Sequence, residues 1–365
     1  MREASISGSG QRVQAPTLSV LLLFSCQRGV SEGALYRHMK LFLIFSILAT
    51  VSFLSKINAQ TSTATLDHNG ELTTFNGSSS FAKAMEAASE GDAIYLSAGH
   101  YDATDITKPV SIKGTGFIDD KDNGLEASVI DFSVKINLPE EKGLTIEGIR
   151  FDDTIYIESE LTSSLFLHCG FKGIKFSATT KNFSMNGCIN HQNIEFCKSQ
   201  ENMVFNNSHF TKIQDESDGS STIYFKNCNI EDFTYRGVNF DHSLQTATIE
   251  NSVIINCPNN RSGITWIKTI IPSNSGYLPD GSQTKNCWLL STDEINNLWD
   301  GDWWELKKEA AGQYIGTDNT QIGIYGGPHP FIKTVYGPRI TQMVIPTETD
   351  DDGKIKISIT VDRHE

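Results

Sequence analysis

FKNCNI, residues 225–230, has close counterparts upstream: FLHCGF at 166–171 and MNGCIN at 185–190. In each, a small residue stands among apolar residues that fall on alternate positions. With Cys228 as reference, Ser208, Cys188, Cys169 and Ile149 precede it at steps of 19 or 20 residues, and Ser252 and Cys287 follow at longer steps. A fixed period of this size marks a stacked repeat. Within a unit the alternation has period two, the pattern of a strand. Ile223, Phe225 and Cys228 fall on one face and Tyr224 and Lys226 on the other; the pairs Met203/Phe205 and Phe183/Met185 repeat the inward face. Second strands follow in GIKFS (173–177) and NIEFC (193–197), with Asn, Gly and Asp at the bends. The Leu-x-x-Leu-x-Leu frame of leucine-rich repeats is absent, as are the long Ala/Leu segments of helical repeats.

The spacing predicts an all-β fold, a right-handed parallel β-helix of about 20 residues per turn over residues 92–290. Like strands then stack at about 4.8 Å per turn. Phe183, Phe205 and Phe225 are expected to stack inside. Ile149, Cys169, Cys188, Ser208, Cys228 and Ser252 form a column of mostly small side chains beside a bend. Asn207, Asn227 and Asn251 precede it in three successive turns, and their amides are expected to bond to one another along the axis. Cys169 and Cys188 fall one rung apart with parallel Cβ vectors, which disfavours a bridge, so buried free thiols are expected.

The composition agrees. Hydrophobic residues make up 38% and Gly numbers 29, which suits a turn-rich β protein better than a helical one. The net charge of −14, with no basic stripe, argues against nucleic acid as a partner. An acidic polysaccharide would also be repelled on average, unless a local basic patch or a bound cation held it, and polysaccharide is the partner class expected. Met39-Lys40, the apolar run Leu41–Leu54 and Ile57-Asn58-Ala59 form a signal-peptide pattern over 39–59, too short to span a membrane. Residues 1–38 fit no domain and are expected to be an upstream extension. A second reading takes Leu23-Phe24-Ser25-Cys26 as a lipoprotein cleavage box. A soluble or surface-held exported protein is the expectation.

Residues 60–91 are expected to supply a strand and a capping helix. After a serine cap, Phe81, Ala84, Met85 and Ala88 recur at helical spacing, giving a short amphipathic helix over 80–89 that plugs the open end of the coil. Residues 291–340 are expected to form a C-terminal cap, or lid, and 341–365 a terminal β-strand segment, with TDDDG (349–353) as the turn before it.

AMEAASEGDAIYLSAGHYDATDITKPVSIKGTG (84–116) resembles the opening segment of parallel β-helix proteins of the pectate-lyase-like superfamily. GTDNTQIGIYGGPHPF (316–331) is similar to the closing segment of secreted β-helix proteins of the Bacteroidetes type, most of them without an assigned function. The likeness covers roughly residues 70–340 and implies the fold, not a reaction. That superfamily includes lyases, polygalacturonases and phage tailspikes. The hydrolase motifs it would imply, Asn-Thr-Asp, Asp-Asp with a second acidic pair, and Gly-His-Gly, are missing. Asp152-Asp153 has no acidic partner one turn away: the matching places hold Lys172-Gly173 and His191-Gln192. Glycoside hydrolysis needs two carboxylates across one bond.

A lyase needs a base and a group that neutralises the uronate carboxylate. The outward column before the bend runs Glu147, Leu167, Asn186, Asn206, Lys226, Glu250. Asn186, Asn206 and Lys226 thus form a candidate sugar face, with Lys226, His209 or Arg236 as candidate base and His191 and His242 nearby in the repeat frame. Equally, this column is a solvated sheet face. All five Trp follow residue 265, and Trp299, Trp303 and Trp304 cluster in NNLWDGDWWELKKEAAG. Flat aromatic faces bind sugar rings; they also seal an open end. DDKDNG (119–124) has the look of a calcium loop but lacks the full ligand spacing, so a turn is expected and no metal or cofactor is assigned. Three function classes follow: a non-catalytic carbohydrate-engaging or surface protein, a polysaccharide lyase on a uronate glycan, and a structural spacer or adhesin. The first is the expectation.

Overall fold

The computed structural model describes residues 62–120, 126–215, 221–234, 246–257, 264–273, 284–301, 303–333, 339–344 and 358–362. The expected leader and extension lie outside these, as do Arg236, His242, most of the acidic stretch after Asp120 and the 349–353 turn.

The repeat is a parallel β-solenoid. Strands β1 (Thr63–His68) and β2 (Glu71–Asn76) pair antiparallel, and β1 pairs antiparallel with β3 (Ala93–Leu96). From β3 onward the pairing is parallel, rung on rung, to Thr284–Lys285. A second long sheet, from Gly99–Tyr101 to Trp288–Leu290, is built the same way. Among the described residues each long sheet counts twelve strands.

From the third rung on, the short bend that joins the two sheets contains a left-handed residue: Gly148, His168, Gly187, Asn207, Asn227, Asn251, Lys268 and Asn286 have φ between 46° and 65°. Glycine and asparagine take this conformation at least cost, which explains their recurrence. The ladder continues through the bend, since Asn207 N–H donates to Lys226 O at 3.1 Å and Asn227 N–H to Glu250 O at 3.0 Å.

The next residue answers why Cys, Ser or Thr returns on the beat. Its side chain accepts the backbone N–H one rung earlier. Cys188 N–H donates to Ser208 Oγ at 3.1 Å, Cys228 N–H to Ser252 Oγ at 3.0 Å, and Cys169 N–H approaches Cys188 Sγ at 3.4 Å. A buried N–H must find a partner, and only a small side chain with an acceptor fits a corner this tight.

Inside, Phe166, Met185, Phe205, Phe225, Ile249 and Trp266 stand in register and are fully buried. Phe205 and Phe225 stack at 5.0 Å with 14° between planes. Phe183 is also buried but sits one column over, 6.3 Å from Phe205 and tilted by 53°. The expected three-ring stack is therefore two rings resting on Met185, because alternation puts Phe183 two residues back from the Phe205 column.

Helix α1 (Ser80–Ala87) buries Phe81, Ala84 and Met85 against the first rungs, in one core with Ile94 and Leu96. It is shorter than expected. Ser79 at its N-cap makes no side-chain bond; Ser78 instead donates to Asp102 at 2.8 Å. At the other terminus, Arg339–Val344 and Ser358–Asp362 pair antiparallel.

The segment 291–333 is not an end lid. After the last rung it folds back and runs along the outer side of the second sheet. Helix α2 (Thr292–Asn296), opened by a Ser291/Glu294 capping box, and helix α3 (Lys308–Gln313) begin this strap. It continues until Phe331 meets Phe117 of an early rung at 6.3 Å.

The six cysteines of the described residues are free, and Cys169, Cys188 and Cys228 are fully buried. Burial pushes the Cys228 thiol up to about 12. Buried, undeprotonated thiols are inert. Alkylation of the folded protein should therefore leave these three unlabelled, while denaturation without reductant should expose all of them. Intact mass reads the difference, and two or three disulfides in that experiment would refute the column.

Candidate functional site

The residue after each small corner residue points outward: Gly170, Ile189, His209, Asn229, Val253, Ile270 and Trp288 stand in register along the second sheet. An outer column should be wet. Ile189, His209, Asn229, Val253 and Ile270 are instead fully buried, because the strap covers them. Ile295, Leu306, Ala310, Tyr314 and Ile322 pack on Val253 and Ile270, and Ile324 and Phe331 pack with Ile189 and Phe117.

The asparagine column anchors the strap. The expected amide ladder along the axis does not form; these side chains turn outward. Asn207 Nδ2 donates to Ile324 O at 2.9 Å and Gly326 O at 2.7 Å. Asn251 accepts from Thr317 N–H at 2.8 Å and donates to Asp318 Oδ2 at 3.2 Å. Asn227 lies against Gly326 and Gly327. The left-handed bend holds each amide at the coil corner, facing out, where a loop rich in carbonyls and glycine can approach.

Trp304 crosses the middle of the column. Its ring stacks on His209, with centroids 3.4 Å apart and 19° between planes. Its backbone φ is +56°, an unusual value for a bulky residue. Such an outlier costs on the order of 1–3 kcal/mol and persists where surroundings impose it. Here the His209 ring and Asn229, whose amide approaches Trp304 O at 3.5 Å, do so. Burial pushes the His209 pKa down, so the ring is neutral at pH 7. Glu231 Oε1 lies 3.4 Å from His209 Nε2, off line for a hydrogen bond. The His209 edge holds the Glu231 carboxyl below its usual range against the opposing effect of partial burial, and the Trp304 indole N–H adds to this. Glu231 is therefore a carboxylate, 37% exposed.

Between strap and coil opens a cleft of about 350 Å³, lined by Glu231, Ile255, Asn296, Trp299, Gly301 and Trp304. Of the three tryptophans singled out in the sequence, Trp299 and Trp304 line it. Trp303 turns away and stacks on Phe331 at 6.4 Å, sealing the strap. Glu231 and Asn296 carry no local sequence signal; they join the site only because the strap folds back and brings Trp304, 73 residues on, beside Glu231.

The other candidates lie elsewhere. Asn186, Asn206 and Lys226 do stand in register, one rung apart, on the first sheet. Lys226 is 3.5 Å from Glu250, which also accepts from the Tyr224 and Thr317 hydroxyls. Burial raises the Glu250 pKa, but these hydroxyls and Lys226 outweigh it and leave it lowered. Lys226 is thus held beside a carboxylate. His209 lies beyond the bend, on the second sheet, with no exposed surface, so it shares no face with Lys226. Asp152 pairs with Arg150 at 3.0 Å and Asp153 lies 3.9 Å from Lys172. A bulge sets Gly173 opposite Thr154, one residue off the expected alignment. Asp119 is committed to Arg150 and to Ala127 N–H. Among the described residues no group of three His, Cys, Asp or Glu is placed to hold a metal ion, and no helix is long and apolar enough to cross a membrane.

The fold and the strap define a parallel β-solenoid with a lateral aromatic cleft. In comparisons with known proteins, no family model, no curated protein and no solved structure matches this chain.

Proposed function

We propose that this protein is a secreted β-helix protein of the pectate-lyase-like kind that engages carbohydrate without turning it over. The observation that carries this is the cleft with two indoles, a carboxylate and an amide. Sugar rings present apolar C–H faces to aromatic side chains and hydroxyls to carboxylates and amides. Export rests on the leader pattern at 39–59. The non-catalytic part rests on the state of two of the candidate bases: Lys226 is paired with Glu250 and His209 is fully buried.

Two variants separate binding from turnover. Trp299→Ala should weaken retention on a panel of immobilised polysaccharides by about tenfold or more, the loss expected for one stacking platform. Lys226→Ala should leave retention unchanged. Neither the wild type nor the variants should release ultraviolet-absorbing unsaturated sugars from pectate, alginate or ulvan, with or without calcium. Unsaturated product from the wild type that vanishes in Lys226→Ala would establish a lyase. Neither retention nor product across the panel would establish a spacer or adhesin.

A further inference from the structure

Among the described residues the cleft has one formal charge on its walls, and it is negative. Glu231, Ile255, Asn296, Trp299, Gly301 and Trp304 include no Lys, Arg or His. Beside it lies a second hollow of about 520 Å³, lined by Gln192, Asn193, Thr211, Lys212, Gln214, Glu231 and Asp232. Glu231 belongs to both. The two spaces form one groove on the outer side of the second sheet, aromatic at one end and polar at the other, with the Glu231 carboxylate at the junction. In the polar half Asn193 donates to Gln214 at 2.9 Å, a fixed amide rail across rungs. Asp232 Oδ1 is buried there without a hydrogen-bond partner. Lys212 stands in register with Asp232, one rung on, and is the one lysine lining the polar hollow.

We infer that this groove takes an amino sugar: a hexosamine ring whose C–H face lies on the indoles and whose ammonium meets Glu231, with the next unit in the polar half. This inference rests on the carbohydrate reading and narrows it. Three physical points carry it. An ammonium bonded to a carboxylate makes a charge-assisted bond, stronger than a hydroxyl makes. The same ammonium between Trp299 and Trp304 gains from the ring faces, which attract cations. A uronate in the same place sets its carboxylate against Glu231 with no cation among the described residues of the aromatic half to offset it, which is discrimination by repulsion. His209 and Trp304 position Glu231 from behind. His209, being buried, cannot touch the sugar and is a positioning residue.

The test uses the full chain and three probes: a glucosamine trimer, its fully N-acetylated counterpart and a galacturonate trimer, titrated by calorimetry at pH 6, where the amine is charged. The wild type should bind the glucosamine trimer at least about tenfold more tightly than the acetylated one, with affinity falling as salt rises, and should not bind the galacturonate. Glu231→Gln keeps an acceptor for the Trp304 indole and removes the charge. It should abolish the preference for the glucosamine trimer over the acetylated one, together with the salt dependence of that preference. Equal wild-type binding of the two trimers, or preference for galacturonate, would overturn the inference while leaving carbohydrate binding standing. Loss of all three in the wild type would remove both. The wild-type comparison and its salt dependence decide the matter even if Glu231→Gln fails to fold.

Discussion

Phe205→Asp should yield no folded protein. Phe205 is fully buried, stacked on Phe225 at 5.0 Å and packed edge-on against Phe210 at 5.5 Å. Removing the ring from such a site costs about 3–5 kcal/mol. The aspartate then adds an unpaired charge in an apolar interior, several kcal/mol more unless it is protonated. Domains are stable by only about 5–15 kcal/mol. In a solenoid each rung is supported by its two neighbours, so a lost rung also exposes the rungs of Met185 and Phe225. Far-ultraviolet circular dichroism and soluble yield are the readouts. Phe205→Leu, which keeps an apolar side chain, should fold with a lowered melting temperature. Soluble Phe205→Asp melting cooperatively near the wild-type temperature would mean that the register is wrong.

Gly326→Ala should detach the strap and leave the coil intact. A methyl group at this position would overlap the Gln321 carbonyl oxygen and come within 2.5 Å of Asn227 Nδ2. Overpacking of this kind costs about 1–3 kcal/mol, and here the obstacle is backbone. The strap is held by few bonds besides those to Asn207 and Asn251, so the cost falls on one docking event. Limited proteolysis should cut Gly326→Ala within 303–333 many times faster than the wild type, with the β signal in circular dichroism unchanged. Sugar retention should fall as well, because Trp299 and Trp304 belong to the same segment. Gly312→Ala is the control. Nothing stands within 4 Å of the added carbon and the position is inside helix α3, so the change should be neutral or stabilising by up to about 1 kcal/mol. Equal protease resistance of the two variants would show that the closing glycines do not set the docking distance.

The rungs were legible because a solenoid makes its contacts at a constant sequence offset. Each inward side chain meets the residue one turn on, and so the requirement for a ring at Phe205 and Phe225, or for a small acceptor at Cys188 and Ser208, repeats along the chain. The asparagines were visible for the same reason, but their task was not. A left-handed bend favours Asn or Gly wherever it occurs, although His168 and Lys268 also occupy it here. What the amide does there depends on what approaches it, and Ile324 approaches Asn207 from 117 residues away. One trace of the strap was present: apolar Ile189, Val253 and Ile270 directly after the small column, on a face that alternation turns outward.

From the amino-acid order alone came the rung length, the inward columns, the helix at the first turn and the three tryptophans as a group worth attention. These are local or periodic demands, written once per turn. The tertiary structure alone decided that residues 291–333 run along the flank, that Trp303 seals while Trp299 and Trp304 open onto a cleft, and that Glu231 is its charged wall. Those contacts occur once, between segments tens of residues apart. Each follows from the burial of an outer apolar column that no single rung could cover.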